Sequence, residues 1–307
     1  MTPMHRRPRL PRSTQLVEDV TDLEGARRDS LAVGGGWGVA DPPQHEIGSL
    51  TVLVPTRNER DNIEPLLERL GEVSRAVQFT VLFVDDSSDD TARVIGRLSD
   101  RAACGVQVLH RPEKRRVGGL GGAVRAGLRA TRSEFVCVMD ADLQHPPEVL
   151  PALLREAQRS EADVVVATRH RDGGDVSTFS APRRALSRGS KLVARALFPR
   201  RLRGVSDPMS GFFLVRRTAI DVAALRPCGF KILLEILLSG RRLSVSEVGF
   251  CFGERHAGDS KATLREGGRY LRRLIALRVH RWNPAGKDTT NVAASMPVRS
   301  FDANASF

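Results

Sequence analysis

The sequence has no long apolar run, few cysteines and few aromatic residues, and each of these features excludes a class of protein. Its longest apolar stretch, KILLEILL at 231–238, contains Lys231 and Glu235, so it cannot span a bilayer. The 4 cysteines lie far apart and form no CxxC pair, which argues against a zinc finger and predicts buried thiols in a reducing compartment. The basic N-terminal segment lacks the apolar core of a secretory signal, so we expect none.

Basic residues outnumber acidic ones. The 307 residues include 48 Lys and Arg against 36 Asp and Glu, which is a formal net charge of +12. Such a charge suits a phosphorylated ligand, an anionic membrane surface or a nucleic acid. With a single Tyr and 5% aromatic residues, the basic stretches offer no platform on which bases could stack. Nucleic-acid binding is therefore the weaker interpretation.

The sequence divides into a folded core with a tail at each end. Residues 1–48 and 283–307 are rich in polar and turn-forming residues and show no sustained apolar periodicity, which predicts disordered tails. The remainder, 49–282, is the predicted folded domain. Its composition is ordinary for a globular protein, since the whole chain is 41% hydrophobic and 27% charged.

Short apolar runs alternate with helical periodicity through the first half of this domain. Because the runs are apolar at consecutive positions, we expect both faces of each strand to be covered. The pattern predicts an α/β fold with a mostly parallel central sheet and helices on both faces. The predicted strands are TVLV (51–54), FTVLFV (79–84), VQVLH (106–110), FVCVM (135–139) and DVVVA (163–167), and the predicted helices lie around 63–70, 90–103, 120–130 and 147–159.

Polar clusters follow three of these strands at the point where each strand ends. The clusters are PTRNERDN (55–62), DDSSDDT (85–91) and DADLQHP (140–146). One such cluster alone is ordinary turn chemistry, because Asp, Asn and Ser cap the following helix. The carboxyl ends of parallel strands meet at one edge of a sheet, however, and carboxylates gathered there repel one another unless a cation or a donor-rich ligand neutralises them. Together the clusters predict a ligand site at that edge.

Asp140 and Asp142 are the sharpest pair in these clusters. Side chains at positions i and i+2 of an extended segment point the same way, so both carboxylates are available to one ligand. Oxygen ligands suit Mg²⁺ or Mn²⁺, and Mg²⁺ commonly joins one or two carboxylates to substrate phosphates. The predicted ligands are a divalent cation and a nucleoside diphosphate.

The motifs resemble those of a known family. VLVPTRNERDNI, LFVDDSSDDT and VMDADLQHPPE, in this order and spacing, look like the inverting glycosyltransferases of family 2, which have the GT-A fold. The resemblance is closer still to dolichyl- or polyprenyl-phosphate mannosyltransferases and covers roughly residues 50–280. It is supported by ATRHRDGGDV (167–176), RRALSRGSK (183–191), SDPMSGFFLVRR (206–217), GFKILLEIL (229–237) and FGERHAGDSK (252–261). It implies a GT-A, Rossmann-like domain without a transmembrane domain.

The resemblance implies a site for a guanosine-containing nucleotide sugar. Arg57 departs from the family pattern, in which Tyr is common, but a guanidinium can also stack on a base. Arg57 therefore stays in the predicted nucleotide site, while the preference for guanine becomes less secure. The implied contacts are Pro55, Glu59, Val84 and Asp86 around the guanosine, Asp140, Ala141 and Asp142 at the ribose, diphosphate and metal, Gln144 in the metal shell, and Arg169, Arg255 and Lys261 at the donor diphosphate.

The same resemblance places the acceptor in the second half of the chain. It assigns Arg169 and Arg183 to the acceptor phosphate or the leaving diphosphate, with Asp207 and Ser210 in the acceptor segment. Because a phosphomonoester is largely a dianion near neutral pH, no general base is required. Asp207 and Glu235 stay open as alternative bases, although Asp207 is better explained as orienting the acceptor loop. The predicted catalytic residues are Asp142, Arg169 and Arg183.

The function implied by the resemblance is transfer of mannose from GDP-mannose to a polyprenyl phosphate of the dolichyl type, with inversion of configuration and with Mg²⁺ or Mn²⁺ as cofactor. A lipid acceptor requires contact with a membrane, and the basic apolar stretches 264–282 and 186–203 suit amphipathic helices on an anionic surface. We expect a cytoplasmic protein bound peripherally to the cytoplasmic face, with or without a separate membrane protein. The alternatives are transfer of glucose or another activated sugar, a hydroxyl acceptor, a catalytically silent nucleotide-sugar-binding protein and a nucleic-acid-binding module.

Overall fold

Seven strands form one sheet in the part of the chain that the computed structural model describes, which is residues 46–169, 189, 192–226 and 231–253. Their order across the sheet is β3-β2-β1-β4-β6-β5-β7. β6 runs antiparallel to both of its neighbours, and the other paired strands are parallel. The strands are β1 (Glu46–Thr56), β2 (Thr80–Asp85), β3 (Gly105–His110), β4 (Ser133–Val138), β5 (Val164–Thr168), β6 (Phe213–Arg216) and β7 (Val245–Gly249).

In the described ranges five α-helices accompany the sheet, and residues 192–197 are also helical. The sequence places them on the sheet by their apolar faces: in the first helix, Ile63, Leu66 and Leu70 recur at helical spacing and are fully buried. None of the helices in the described ranges is long and apolar enough to cross a bilayer. The five helices are α1 (Arg60–Val73), α2 (Thr91–Ser99), α3 (Gly119–Ala130), α4 (Leu150–Ser160) and α5 (Ile232–Leu238).

The core consists of two apolar layers, one on each face of the sheet. Val52 and Val54 of β1 pack into the layer formed with α1, α2 and α4. Leu53, between them in the sequence, packs into the opposite layer with α3 and α5. Successive side chains of a strand point to opposite faces, so a strand in the middle of such a sandwich must be apolar at every position. The predicted mostly parallel sheet with helices on both faces is confirmed.

Several features differ from the sequence-based expectations. β6 and β7 were not predicted, and β1 begins at Glu46, so residues 46–48 belong to the sheet rather than to a tail. The prediction that the cysteines are buried is wrong for Cys251, which is exposed, and holds for Cys137. Burial raises the pKa of Cys104 to about 11. The rest of the predicted tails and the stretch 264–282 lie outside the described residues.

Candidate active site

Asp85 ties together the ends of β1, β2 and β3. Thr56, Asp85 and His110 are neighbours in the register of these parallel strands. The Asp85 carboxylate is fully buried. It accepts hydrogen bonds from the Thr56 hydroxyl at 2.9 Å, from the Ser87 hydroxyl at 2.5 Å and from His110 Nδ1 at 2.7 Å. With both oxygens satisfied by protein donors and no exposed surface, Asp85 has a structural role. The predicted nucleotide contact is its neighbour Asp86.

Asp86 forms a buried ion pair with Arg111, a residue that the sequence analysis missed. The Arg111 guanidinium donates to both Asp86 oxygens, at 2.7 and 2.5 Å. It also donates to the carbonyl of Gly119 at 3.2 Å, at the start of α3. Arg116 fastens the same loop by donating to the carbonyls of Ser87 and Arg111, at 2.7 and 3.0 Å. The pair therefore holds a predicted nucleotide contact against the glycine-rich turn.

The segment after β1 lies on the same edge. Asn58 has a positive φ of 55°, and its Oδ1 accepts from the Ser88 backbone N–H at 2.9 Å. The Glu59 carboxylate accepts from Asn62 at 2.7 Å. Val84, by contrast, is fully buried in the core, so only its main chain is available to a nucleotide.

Asp140 and Asp142 lie in a tight turn directly after β4. Asp142 is nearly buried and its Oδ1 accepts from the Gln144 backbone N–H at 3.2 Å, whereas 40% of the Asp140 side chain is exposed. Leu143 takes a positive φ of 65° to make the turn. The described ranges contain no cluster of three or more His, Cys, Asp or Glu side chains able to hold a metal. Two carboxylates still fit Mg²⁺ or Mn²⁺, because such ions complete their shell with water and substrate phosphates.

Arg169 and Asp207 form the cationic part of the site. Arg169 follows β5, and its guanidinium donates to Asp207 Oδ2 at 3.1 Å and lies 5.0 Å from the centre of the Phe252 ring. Asp207 is only 1% exposed. A buried carboxylate held by a guanidinium is a poor proton acceptor, so this geometry supports Asp207 as the residue that orients Arg169 rather than as a general base.

The loop that leads into β6 brings Asp207 to the carboxylate turn. A Cβ placed on Gly211 would lie 3.3 Å from Asp140 Oδ2, so the loop passes directly against the Asp140 carboxylate. Ser210 is nearly buried, and its hydroxyl donates to the Ala167 carbonyl at 2.8 Å. Ser210 thus shapes this loop, and its contact with an acceptor stays a prediction.

His145 is the second residue that sequence reasoning missed, although it stands inside the DADLQHP motif. It is nearly buried, and its Nδ1 accepts a hydrogen bond from the Asp140 backbone N–H at 3.0 Å. Burial lowers the pKa of His145 to about 4. Its ring stacks on Phe212 at 5.1 Å and meets the rings of Phe250 and Phe252 edge-on at 6.1 and 5.8 Å.

Other predicted residues lie away from this edge or outside the described residues. Glu235 is nearly buried on α5 within the core layer formed by α3 and α5, and it accepts from the Arg226 backbone N–H at 3.1 Å. That environment is a structural one, which removes the support for Glu235 as a base. Arg183, Arg255 and Lys261 lie outside the described residues.

The sequence is similar to those of known proteins. The family model described as Glycosyl transferase family 2 matches residues 51–222. The dolichol-phosphate mannosyltransferase of Pyrococcus furiosus is 38% identical over 229 residues, which are 74% of this chain and 63% of that protein. The chain therefore spans about 63% of the length of that relative. The dolichol-phosphate mannosyltransferase of Mycosarcoma maydis is 33% identical over 254 residues, which are 79% of this chain and 81% of that protein.

A solved structure supports the fold independently. Glucosyl-3-phosphoglycerate synthase from Mycobacterium tuberculosis, in complex with Mn²⁺, UDP-glucose and glycerol 3-phosphate, superposes with a TM-score of 0.55 at 21% identity. The superposition covers 81% of this chain and 86% of that one. At this identity the likeness shows the fold, and it confirms the predicted architecture.

Proposed function

Because this chain belongs to glycosyl transferase family 2, we propose that it transfers mannose from GDP-mannose to a polyprenyl phosphate of the dolichyl type, releasing GDP. The relatives named above are dolichol-phosphate mannosyltransferases by name, which supports mannose transfer to a dolichyl phosphate. In this proposal residues 49–282 are the catalytic domain and the chain works peripherally at the cytoplasmic face of a membrane.

One observation carries the proposal: a cationic group suited to an acceptor phosphate lies beside carboxylates suited to a donor diphosphate. Arg169 is held by the buried Asp207, and the loop of Asp207 passes within van der Waals distance of Asp140. Guanidinium groups match phosphate geometry and keep their charge at any physiological pH. A site built this way suits two phosphorylated ligands whose reacting atoms must meet.

The proposed reaction is an in-line displacement at the anomeric carbon of the sugar. A phosphate oxygen of the acceptor attacks this carbon, the bond to the GDP oxygen breaks, and the electron pair leaves with GDP. Configuration inverts in a single displacement. No proton has to be removed, because the phosphate is already ionised, and this agrees with an Asp207 that is engaged by Arg169. Arg169 and the predicted Arg183 stabilise the negative charge.

A divalent cation fits the turn after β4. Asp140 and Asp142 would hold it, with Gln144 as a further predicted ligand, and the M. tuberculosis synthase was solved with Mn²⁺ and a nucleotide sugar. When bound, such an ion neutralises the charge that develops on the departing diphosphate. The remaining proposed donor contacts are Pro55, Arg57, Glu59, Asp86, Ala141, the main chain of Val84, and Arg255 and Lys261 from outside the described ranges.

The test is radiolabelled transfer into a solvent-extractable lipid. The protein is incubated with Mg²⁺ or Mn²⁺ and either GDP-[¹⁴C]mannose or UDP-[¹⁴C]glucose, with dolichyl phosphate or unphosphorylated dolichol as acceptor. We expect label in the lipid fraction only with GDP-mannose and dolichyl phosphate. Labelling from UDP-glucose alone would replace the proposed sugar, and equal labelling of dolichol would replace the proposed acceptor.

A further inference from the structure

His145 lies where three segments of the chain meet. These are the carboxylate turn 140–144, the acceptor loop 206–212 and the segment 250–253 that follows β7. Its Nδ1 bonds to the main chain of Asp140, while its ring contacts Phe212 from the acceptor loop and Phe252 from the last segment. Its near-complete burial gives His145 an internal rather than a surface role.

The hydrogen bond between the Asp140 N–H and His145 Nδ1 defines the tautomer of the imidazole. A backbone N–H can only donate, so Nδ1 must accept and the ring proton must lie on Nε2. The Asp140 N–H is partly buried, and an N–H withdrawn from water without an acceptor is costly. The imidazole therefore supplies the acceptor that the conformation of the turn requires.

The ring contacts tie this turn to the other two segments. His145 and Phe212 stack with an interplanar angle of 24°. The three segments pack closely around the imidazole. A Cβ on Gly211 would lie 3.1 Å from His145 Cε1, and a Cβ on Gly253 would lie 2.7 Å from the Leu143 carbonyl oxygen. The Gly253 N–H also donates to the Gln144 carbonyl at 3.0 Å. A shift of the imidazole would displace all three segments.

We propose that His145 is a positioning residue: its Nδ1 sets the conformation in which Asp140 and Asp142 bind a divalent cation with a nucleoside diphosphate, and its ring fixes the acceptor loop against that turn. This inference rests on the proposed function, because it assumes the cation and diphosphate at that turn. His145 itself makes no contact with substrate in this proposal. Its Nδ1 and its ring have separate roles, which different substitutions can test.

The experiment compares His145→Phe and His145→Asn. Phe keeps a ring between the phenylalanines and removes the acceptor, whereas Asn keeps an acceptor near the position of Nδ1 and removes the ring. Mn²⁺ binding in the presence of GDP is followed by the electron paramagnetic resonance signal of free Mn²⁺, a readout independent of turnover. Phe250→Leu is the control for simple loosening of the cluster, since Phe250 contacts the ring but lies outside the turn. Thermal melting without metal shows that each variant is folded.

We expect His145→Phe to weaken Mn²⁺ binding at least tenfold, and His145→Asn to change it less than threefold while raising the KM for dolichyl phosphate. Phe250→Leu should lower the Tm and leave Mn²⁺ binding unchanged. A folded His145→Phe variant with wild-type Mn²⁺ affinity would overturn the inference and leave the proposed function standing. Failure of the wild-type protein to bind Mn²⁺ with GDP would overturn both. Equal weakening by His145→Phe and Phe250→Leu would assign His145 to core packing alone and overturn the inference.

Discussion

The buried pair of Asp86 and Arg111 shows how a single interaction joins stability to ligand binding. Both side chains are nearly removed from solvent, and the guanidinium engages both carboxylate oxygens and the turn that begins α3. Burying an ion pair costs desolvation that good geometry offsets, but removing one partner leaves an unpaired charge in a medium of low polarity. Replacing either residue alone therefore leaves a buried charge unpaired, and replacing both avoids this.

We expect Arg111→Ala to lower the free energy of unfolding by about 3–5 kcal/mol, because it leaves the Asp86 carboxylate buried without its partner. Urea unfolding of Arg111→Ala, Asp86→Ala and the double variant measures the coupling, and the double variant should lose less than the sum of the single losses. The control is Arg69→Ala, which breaks an ion pair with Glu148 whose side chains are 38% and 50% exposed and should cost about 1 kcal/mol or less. Additive losses in the cycle would show that Arg111 does not act through Asp86.

Asp142→Asn should abolish sugar transfer and leave the fold intact, because it removes a proposed metal ligand at a turn rather than an apolar contact of the core. Asn still offers an oxygen to the Gln144 N–H but not the negative charge that a divalent cation requires. Transfer is assayed at saturating Mg²⁺ and Mn²⁺, and circular dichroism follows the fold. Asp61→Asn is the matched control, since Asp61 is 70% exposed on α1, and it should retain full activity. Near-normal turnover of Asp142→Asn would remove the metal assignment.

The packing of α3 on the sheet depends on a glycine. A Cβ on Gly127 would lie 2.4 Å from Leu53 Cδ1 and 2.9 Å from Val84 Cγ2, so the helix backbone rests directly on the side chains of β1 and β2. This close approach explains why a glycine, which otherwise weakens a helix, stands in the last turns of α3. At the other end of the same helix, Arg111 donates to the Gly119 carbonyl.

Gly127→Ala should lower the free energy of unfolding by about 1–3 kcal/mol, because the added methyl overpacks the layer between helix and sheet. The control is Gly96→Ala in α2, where a Cβ would meet nothing within 4 Å. There the same substitution should stabilise the protein by about 0.4–1 kcal/mol through the smaller entropy of the unfolded chain. Both values come from chemical denaturation. Opposite signs support the packing explanation, and equal stabilisation by both variants would contradict it.

The strands that sequence reasoning missed lacked either burial or length. β1, β2, β4 and β5 contain apolar runs such as Val164–Ala167, buried on both faces, and β3, whose Gln107 is exposed, was still predicted from its buried valines and leucine. β7 is half-buried along its whole length, and β6 is buried but has only 4 residues. Their pairing is decided by long-range contacts with β4 and β5.

The candidate site was predictable only where a local sequence pattern marks it. Polar residues after strand ends predicted a site at one edge of the sheet, and Asp86, Asp140 and Arg169 do follow the ends of β2, β4 and β5. The same rule applied to β3, which ends at His110, would have found Arg111. Its pairing with Asp86, across 25 positions, has no local signal. His145 was hidden because one histidine beside a carboxylate motif does not show whether it faces a ligand or the core.

The surface of the whole molecule bears on how a lipid acceptor would be reached. Among the described residues, the large apolar side chains that are exposed are Val117, Leu192 and Val193, at 79%, 70% and 38%. Leu192 and Val193 are adjacent on the helical segment 192–197, and Arg200 and Arg203 beyond it are exposed. Apolar side chains next to basic ones are typical of a segment that lies on an anionic membrane. This segment belongs to the stretch 186–203 that the sequence indicated for such a role.

We expect Leu192→Ser to reduce binding to anionic vesicles about tenfold, since burial of a leucine side chain contributes about 1.5–3 kcal/mol and part of it would be lost at an interface. Sedimentation with phosphatidylserine-containing vesicles measures the binding, and neutral vesicles and high salt separate the electrostatic from the apolar contribution.

Val117→Ser is the matched control, because it removes an equally exposed apolar side chain from the glycine-rich turn and should leave vesicle binding unchanged. High salt should release the wild-type protein only in part. Salt screens the attraction between the arginines and the anionic lipid beyond a Debye length of about 8 Å, but it does not weaken the burial of Leu192 in the membrane. Identical binding of the Leu192→Ser and wild-type proteins would show that this segment does not dock the enzyme on lipid. Equal losses in Leu192→Ser and Val117→Ser would instead indicate a general loss of surface hydrophobicity, because two separate positions would then contribute alike.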